Sequence, residues 1–186
     1  EFSADDYDEN RHFFLAQYFR DHYDENMAQL PNILSGITIN RAEVWVTNKT
    51  GQTTNTRNII ALTDLGEASK IHNPLWTPGS TSVPANAANT LYNIVSGING
   101  VRNISTATSA LDGFGLTGGV DYEKLESARL LSPSEYKVNA ALGYISLRSA
   151  LQPDQVLAVA FEYTYRGTNY QVGEFSTDRK DNTETL

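Results

Sequence analysis

The chain has 186 residues, of which 40% are hydrophobic, 10% aromatic and 19% charged, and it contains no cysteine. That length buries a sizeable core without cross-links, and the missing cysteine excludes disulfide scaffolds, thiol nucleophiles and cysteine-ligated zinc. A net charge of −8 argues against nucleic-acid binding and against adsorption to anionic lipid, both of which need a basic face.

Asp6 and Glu9 have capping-box spacing, and Phe14 with Tyr18 and Leu15 with Phe19 recur at i, i+4. The spacing predicts a helix that fades near Met27 and is stopped by Pro31. Ile37 and Ile39, then Val44 and Val46, alternate with polar residues but out of phase with each other, which predicts a strand with a bulge near Arg41. Asn48 to Gly51 reads as a turn, with Arg57 to Asp64 as the return strand. Residues 66–83 read as a loop.

Pro84 suits the first turn of a helix whose stripe is Leu91, Ile94, Val95 and Ile98, ended by Asn99-Gly100. A shorter helix is expected from Asn103 to Leu111, and residues 113–119 as a glycine-rich turn or a mobile hinge. Tyr122 to Leu131 reads as a strand, although Leu125, Ala128 and Leu131 also fit a helix face. Tyr136 to Asn139 and Tyr144 to Leu147 are short strands around Gly143, and Gln155 to Tyr165 with Tyr170 to Phe175 form a hairpin.

The expected fold class is therefore α+β and β-rich, with antiparallel or sandwich-like sheets and two to three helices mostly in the first half. The chain reads as one soluble domain over 1–186, with halves at 1–112 and 120–176 and a tail at 177–186. The longest apolar run, Val156 to Phe161, is far below the roughly 18 residues of a membrane helix. The sequence starts at Glu1, shows no leader pattern, and is expected to be part of a larger polypeptide.

The chemical motifs are sparse. Asp6, Asp8 and Asn10 match the first ligands of a calcium loop, but Arg11 stands where glycine is needed and Gln17 where the bidentate glutamate belongs. Gly113, Gly115 and Gly118 spell GxGxxG, yet residues 105–110 are too polar for the buried strand that nucleotide binding requires. His12, His22 and His72 lack ligand spacing. The Asn48 and Asn103 glycosylation triplets are given no role. No catalytic residue, metal or cofactor is expected.

Leu157, Val159, Phe161 and Tyr163 share a strand face that reads as core, leaving Tyr165 and Tyr170 as the exposed pair. Trp45 points away from the Ala42, Val44, Val46 face and suits either an exposed anchor or the lid of a second layer. Trp45, Tyr165 and Tyr170 are the candidate partner-contact residues.

Seven stretches carry a resemblance. They are residues 7–15 (YDENRHFFL), 43–49 (EVWVTNK), 56–59 (TRNI), 64–67 (DLGE), 142–147 (LGYISL), 156–160 (VLAVA) and 171–176 (QVGEFS). Taken in order they resemble the SprA/Sov family of Bacteroidetes gliding-motility and secretion proteins. The resemblance implies a segment of a large outer-membrane β-barrel, the translocon of type IX secretion. This chain is too short for that barrel and lacks serial alternating strands of about ten residues. It is expected to be a non-enzymatic soluble part on either side of the outer membrane. Its implied partners are the rest of the translocon polypeptide and other secretion proteins. The alternative is a surface carbohydrate-binding or adhesin module.

Overall fold

The out-of-phase isoleucine and valine pairs of the longest strand are reconciled in the computed structural model, which describes residues 9–178. Strand β2 (Ile37–Val46) runs antiparallel to β7 (Leu157–Tyr165) along its whole length. The register shifts between Ile39 and Arg41, so the extra residue turns Val44 and Val46 onto the face that Ile37 and Ile39 occupy. β8 (Thr168–Val172) pairs with β7 through a two-residue turn at Arg166-Gly167. The predicted bulge and hairpin are both present.

The other side of β2 departs from expectation. β3 (Thr56–Leu62) does not return along β2 but pairs with β4 (Tyr122–Leu130), and β4 lies between them. β4 touches β2 only at Trp45↔Leu130 and Val46↔Arg129, so the five strands, ordered β3-β4-β2-β7-β8, splay and curl into a half-barrel. A second antiparallel sheet holds β1 (His12–Phe14), β6 (Tyr144–Leu147) and β5 (Tyr136–Asn139), in that order. It covers one face of the larger sheet, packing Ile145 and Leu147 on Val44 and Val46.

The long first helix is the second correction. His12–Phe14 is captured as an edge strand on β6, followed by two one-turn helices, α1 (Gln17–Asp21) and α2 (Tyr23–Met27). Phe19 is the anchor, 2% exposed and edge-on to Tyr163 at 5.4 Å. It lies so close to Gly143 (φ +68°) that a Cβ there meets its ring at 2.5 Å. The capping-box residue Asp6 and the calcium candidates Asp6 and Asp8 lie outside the described residues.

Two further helices sit behind β3 and β4. α3 (Leu91–Gly97) starts seven residues after Pro84, because the intervening loop is tied elsewhere. The Tyr163 hydroxyl donates to the Pro84 carbonyl at 2.8 Å. Asn86 gives its amide N–H to Gln171 O, its side-chain NH2 to Gly173 O, and accepts from Gly173 N. α4 (Ile104–Phe114) is capped by Asn103, whose Oδ1 accepts from Ser105 N, and ends at Gly115 in the left-handed region (φ +97°). This explains the GxGxxG spelling. Gly113 lies in the last turn of the helix, and Gly115 and Gly118 follow it and precede a strand, the reverse of the order that meets a phosphate with a helix N-terminus. Leu91, Val95, Ala107 and Leu111 bury against Ile60, Tyr122 and Trp76.

The fold is thus α+β and β-rich, with four short helices among the described residues, all before β4. No helix there is long and apolar enough to cross a membrane. Phe161 and Tyr163, 1% and 0% exposed, are core as their strand face implied. Burial of each such large side chain contributes about 1.5–3 kcal/mol.

Candidate docking cleft between strand edges

The curl leaves the larger sheet incompletely closed. β8 pairs with β7 only as far as Phe161↔Val172. Gly173, at φ +77°, then turns the chain off the sheet. Leu157 to Ala160 pair with β2 on one side, and among the described residues they make no backbone hydrogen bond on the other. β3 ends the sheet opposite them.

Between these edges lies a cleft of about 430 Å³. Its lining contains the consecutive runs Ile59–Thr63 and Leu157–Phe161. Successive strand residues point to opposite faces, so a cavity lined by consecutive residues is meeting a strand edge-on. Phe13, Leu15, Trp45 and Val172 to Glu174 complete the lining. The walls are apolar apart from Thr63, Glu67 and Glu174.

Those two carboxylates are held differently. Glu174 is bound by the Arg102 guanidinium at 2.6 and 2.9 Å and by the Tyr92 hydroxyl at 2.9 Å. Glu67 accepts from Gln17 N at 2.9 Å and, among the described residues, has no ion pair within 4 Å. Burial pushes its carboxyl above the usual glutamate value, partly offset by the Gln17 N–H.

The loop bearing Glu67 is fixed from beneath. Asp64, 3% exposed, accepts from His72 N, Asn73 N and the Trp76 indole, all at Oδ2. Asn89 donates its side-chain NH2 to the Asp64 and Glu67 carbonyls at 2.8 Å each. Gly66 (φ +81°) lies against Val172, where a Cβ falls 2.7 Å from a methyl carbon. This closes the cleft wall onto the end of β8.

The three expected contact residues do not come together. Trp45 is 5% exposed and packs with Ile59, Leu125 and Ala128 of β3 and β4, strands of its own curled sheet, so it is neither an exposed anchor nor the cap of a second layer. The β3–β4 pair is a non-local partner that no local pattern announces. Tyr165 and Tyr170 are half-buried at the far end of the β7–β8 hairpin. Tyr170 stacks on Tyr163 at 5.5 Å, and Arg166 lies over Tyr165.

Sequence reasoning missed the cleft and also an aromatic face on the small sheet. There Phe14 meets Tyr23 and Tyr144 edge-on, at 5.5 and 5.8 Å. The Asn139 side chain donates to the Tyr144 hydroxyl beside them. The two glycosylation asparagines have local work: Asn48 bonds the Gln52 backbone and Asn103 caps α4. Among the described residues no His/Asp/Glu cluster has the geometry to hold a metal ion. No family model matches the chain, and no curated protein matches it.

Proposed function

We propose that the chain is a non-enzymatic docking and bracing module of an outer-membrane protein-export translocon of the SprA type. One observation carries the reading. Of the seven stretches that bear the resemblance, six contribute lining residues to the one cleft: Phe13 to Leu15, Trp45, Ile59, Leu65 with Glu67, Leu157 to Ala160, and Val172 to Glu174. Only the stretch at 142–147 lies apart, in β6 and the turn before it. The residues that look familiar are those that shape a protein-binding edge, an arrangement suited to holding a partner segment rather than turning over a substrate.

An antibody raised against this chain, used on fractionated source cells, tests the assignment. A band far larger than 20.5 kDa in the outer-membrane fraction is expected, together with loss of cargo export when the segment is deleted in frame. A band of the chain's own size in a soluble fraction overturns it. A second reading, sugar binding at a cell surface, is favoured by the exposed Phe14 ring with the half-buried Tyr23 and Tyr144 beside it, since an aromatic face flanked by an amide suits a pyranose. A glycan array without a saturable signal eliminates that reading.

A further inference from the structure

We infer that the cleft accepts an extended peptide strand from a partner protein, which pairs with the Leu157–Ala160 edge of β7 in the place β8 would fill if it ran on past Val172. The inference rests on the docking reading and specifies its mode and its ligand.

Three observations define the ligand. First, the β7 edge is already in strand geometry, held along its other side by β2, so its outward amides and carbonyls are preorganised for a ladder. Second, both sides of the inserted strand meet apolar walls. Trp45, Ile59, Ala61 and Ala158 lie on one side, with Phe13, Leu15, Leu157 and Val159 on the other. A strand covered on both faces is apolar at consecutive positions rather than alternating ones. Four or five residues span roughly 13–17 Å at the strand rise, and a cleft of about 430 Å³ lies within the size range of ligand sites. Third, Glu67 lines the cleft with no ion pair within 4 Å among the described residues, Lys70 acting on it only from longer range while it pairs with Asp21, whereas Glu174 has Arg102. The complement is a lysine or arginine at the Glu67 end. The ligand is therefore a short β-branched run flanked by a basic residue.

The test uses the whole chain and one probe, the acetylated and amidated heptapeptide Lys-Val-Ile-Val-Thr-Val-Lys, read by calorimetry and by amide hydrogen exchange. Expected are saturable binding below about 1 mM and new protection at the cleft-facing amides of Leu157 to Ala160. Methylating alternate peptide nitrogens is expected to weaken binding by about fivefold per lost hydrogen bond. Glu67→Gln retains an acceptor for Gln17 N, and is expected to weaken binding about tenfold while protection stays at the same edge.

Absence of saturable binding up to 1 mM overturns the inference, as does binding that N-methylation leaves unchanged. Edge amides already protected in the peptide-free monomer overturn it in favour of a segment of this chain. Protection that rises with protein concentration alone overturns it in favour of a second copy. A negative peptide result leaves the cell-fractionation result standing, and a negative fractionation result leaves the peptide result standing, so the two failures are distinguishable.

Discussion

Asp64 holds the cleft wall, and its replacement gives the sharpest test of the architecture. Its Oδ2 accepts from His72 N at 2.8 Å, Asn73 N at 3.1 Å and Trp76 Nε1 at 2.8 Å. Asp64→Asn keeps an oxygen in place but removes the charge, and charge-assisted bonds are about twice as strong as neutral ones. Three bonds that fall from about 1.5–3 to about 1 kcal/mol each lose roughly 2–3 kcal/mol in total, allowing for imperfect additivity. Asp64→Ala strands all three donors. The Trp76 indole, 2% exposed, has no route to solvent, and a buried donor left unpaired costs about 1–3 kcal/mol on its own. The expected total is about 4–5 kcal/mol, a large fraction of the roughly 5–15 kcal/mol that holds a domain folded. At about 2–4 °C per kcal/mol for a chain of this size, Tm falls by about 5–10 °C for Asn and more than about 10 °C for Ala. Urea unfolding followed by far-ultraviolet circular dichroism and by tryptophan fluorescence measures both variants. An alanine variant that loses less than about 1 kcal/mol, or no more than the asparagine variant, refutes the reasoning.

Trp45→Ala is expected to cost about 3–5 kcal/mol, as a core deletion does; an unchanged urea midpoint returns Trp45 to the surface. Gly143→Ala puts a Cβ 2.5 Å from the Phe19 ring at a φ of +68°, and a loss of about 2 kcal/mol or more is expected in thermal unfolding; a neutral result removes Phe19 from that contact. Glu67 has a folded-state carboxyl raised above its ordinary 4.5, chiefly by burial. Its stabilising contribution is therefore complete below about pH 4.5 and is lost as pH rises through the raised value. Glu67→Gln is expected to gain on the parent chain between pH 4 and 7 in paired urea titrations, and a pH-independent difference refutes the burial argument.

Local chemistry made much of the fold legible. The phase change at Arg41 announced the bulge, Gly143 the β5–β6 turn, and Arg166-Gly167 the hairpin. Asn103 and Gly115 mark the two ends of α4, although the helix runs three residues past the expected Leu111. What the sequence hid is non-local. β4 intrudes between β2 and β3 from sixty residues away, and that single pairing buries Trp45, opens the cleft and defeats the simple hairpin. The 12–14 segment carries aromatic spacing that suits a helix, but the β6 edge offers it a ladder that no window around it reveals. Pro84 is a helix-start residue by local preference, and it is overruled by the hydroxyl of Tyr163 and the ties of Asn86.

Those ties at Asn86 have a consequence for assembly. Its backbone N–H and both ends of its side-chain amide occupy Gln171 O, Gly173 N and Gly173 O, so one residue acts as a surrogate strand along the last stretch of β8. Sheets with two open ends template their own extension into fibres. Here Asn86 occupies the backbone at Gln171 and Gly173 on one side, and the opposite edges face each other across the cleft, which leaves a strand inserted there no room for a successor. Under the docking mode proposed above, the module admits a single guest strand and stops there.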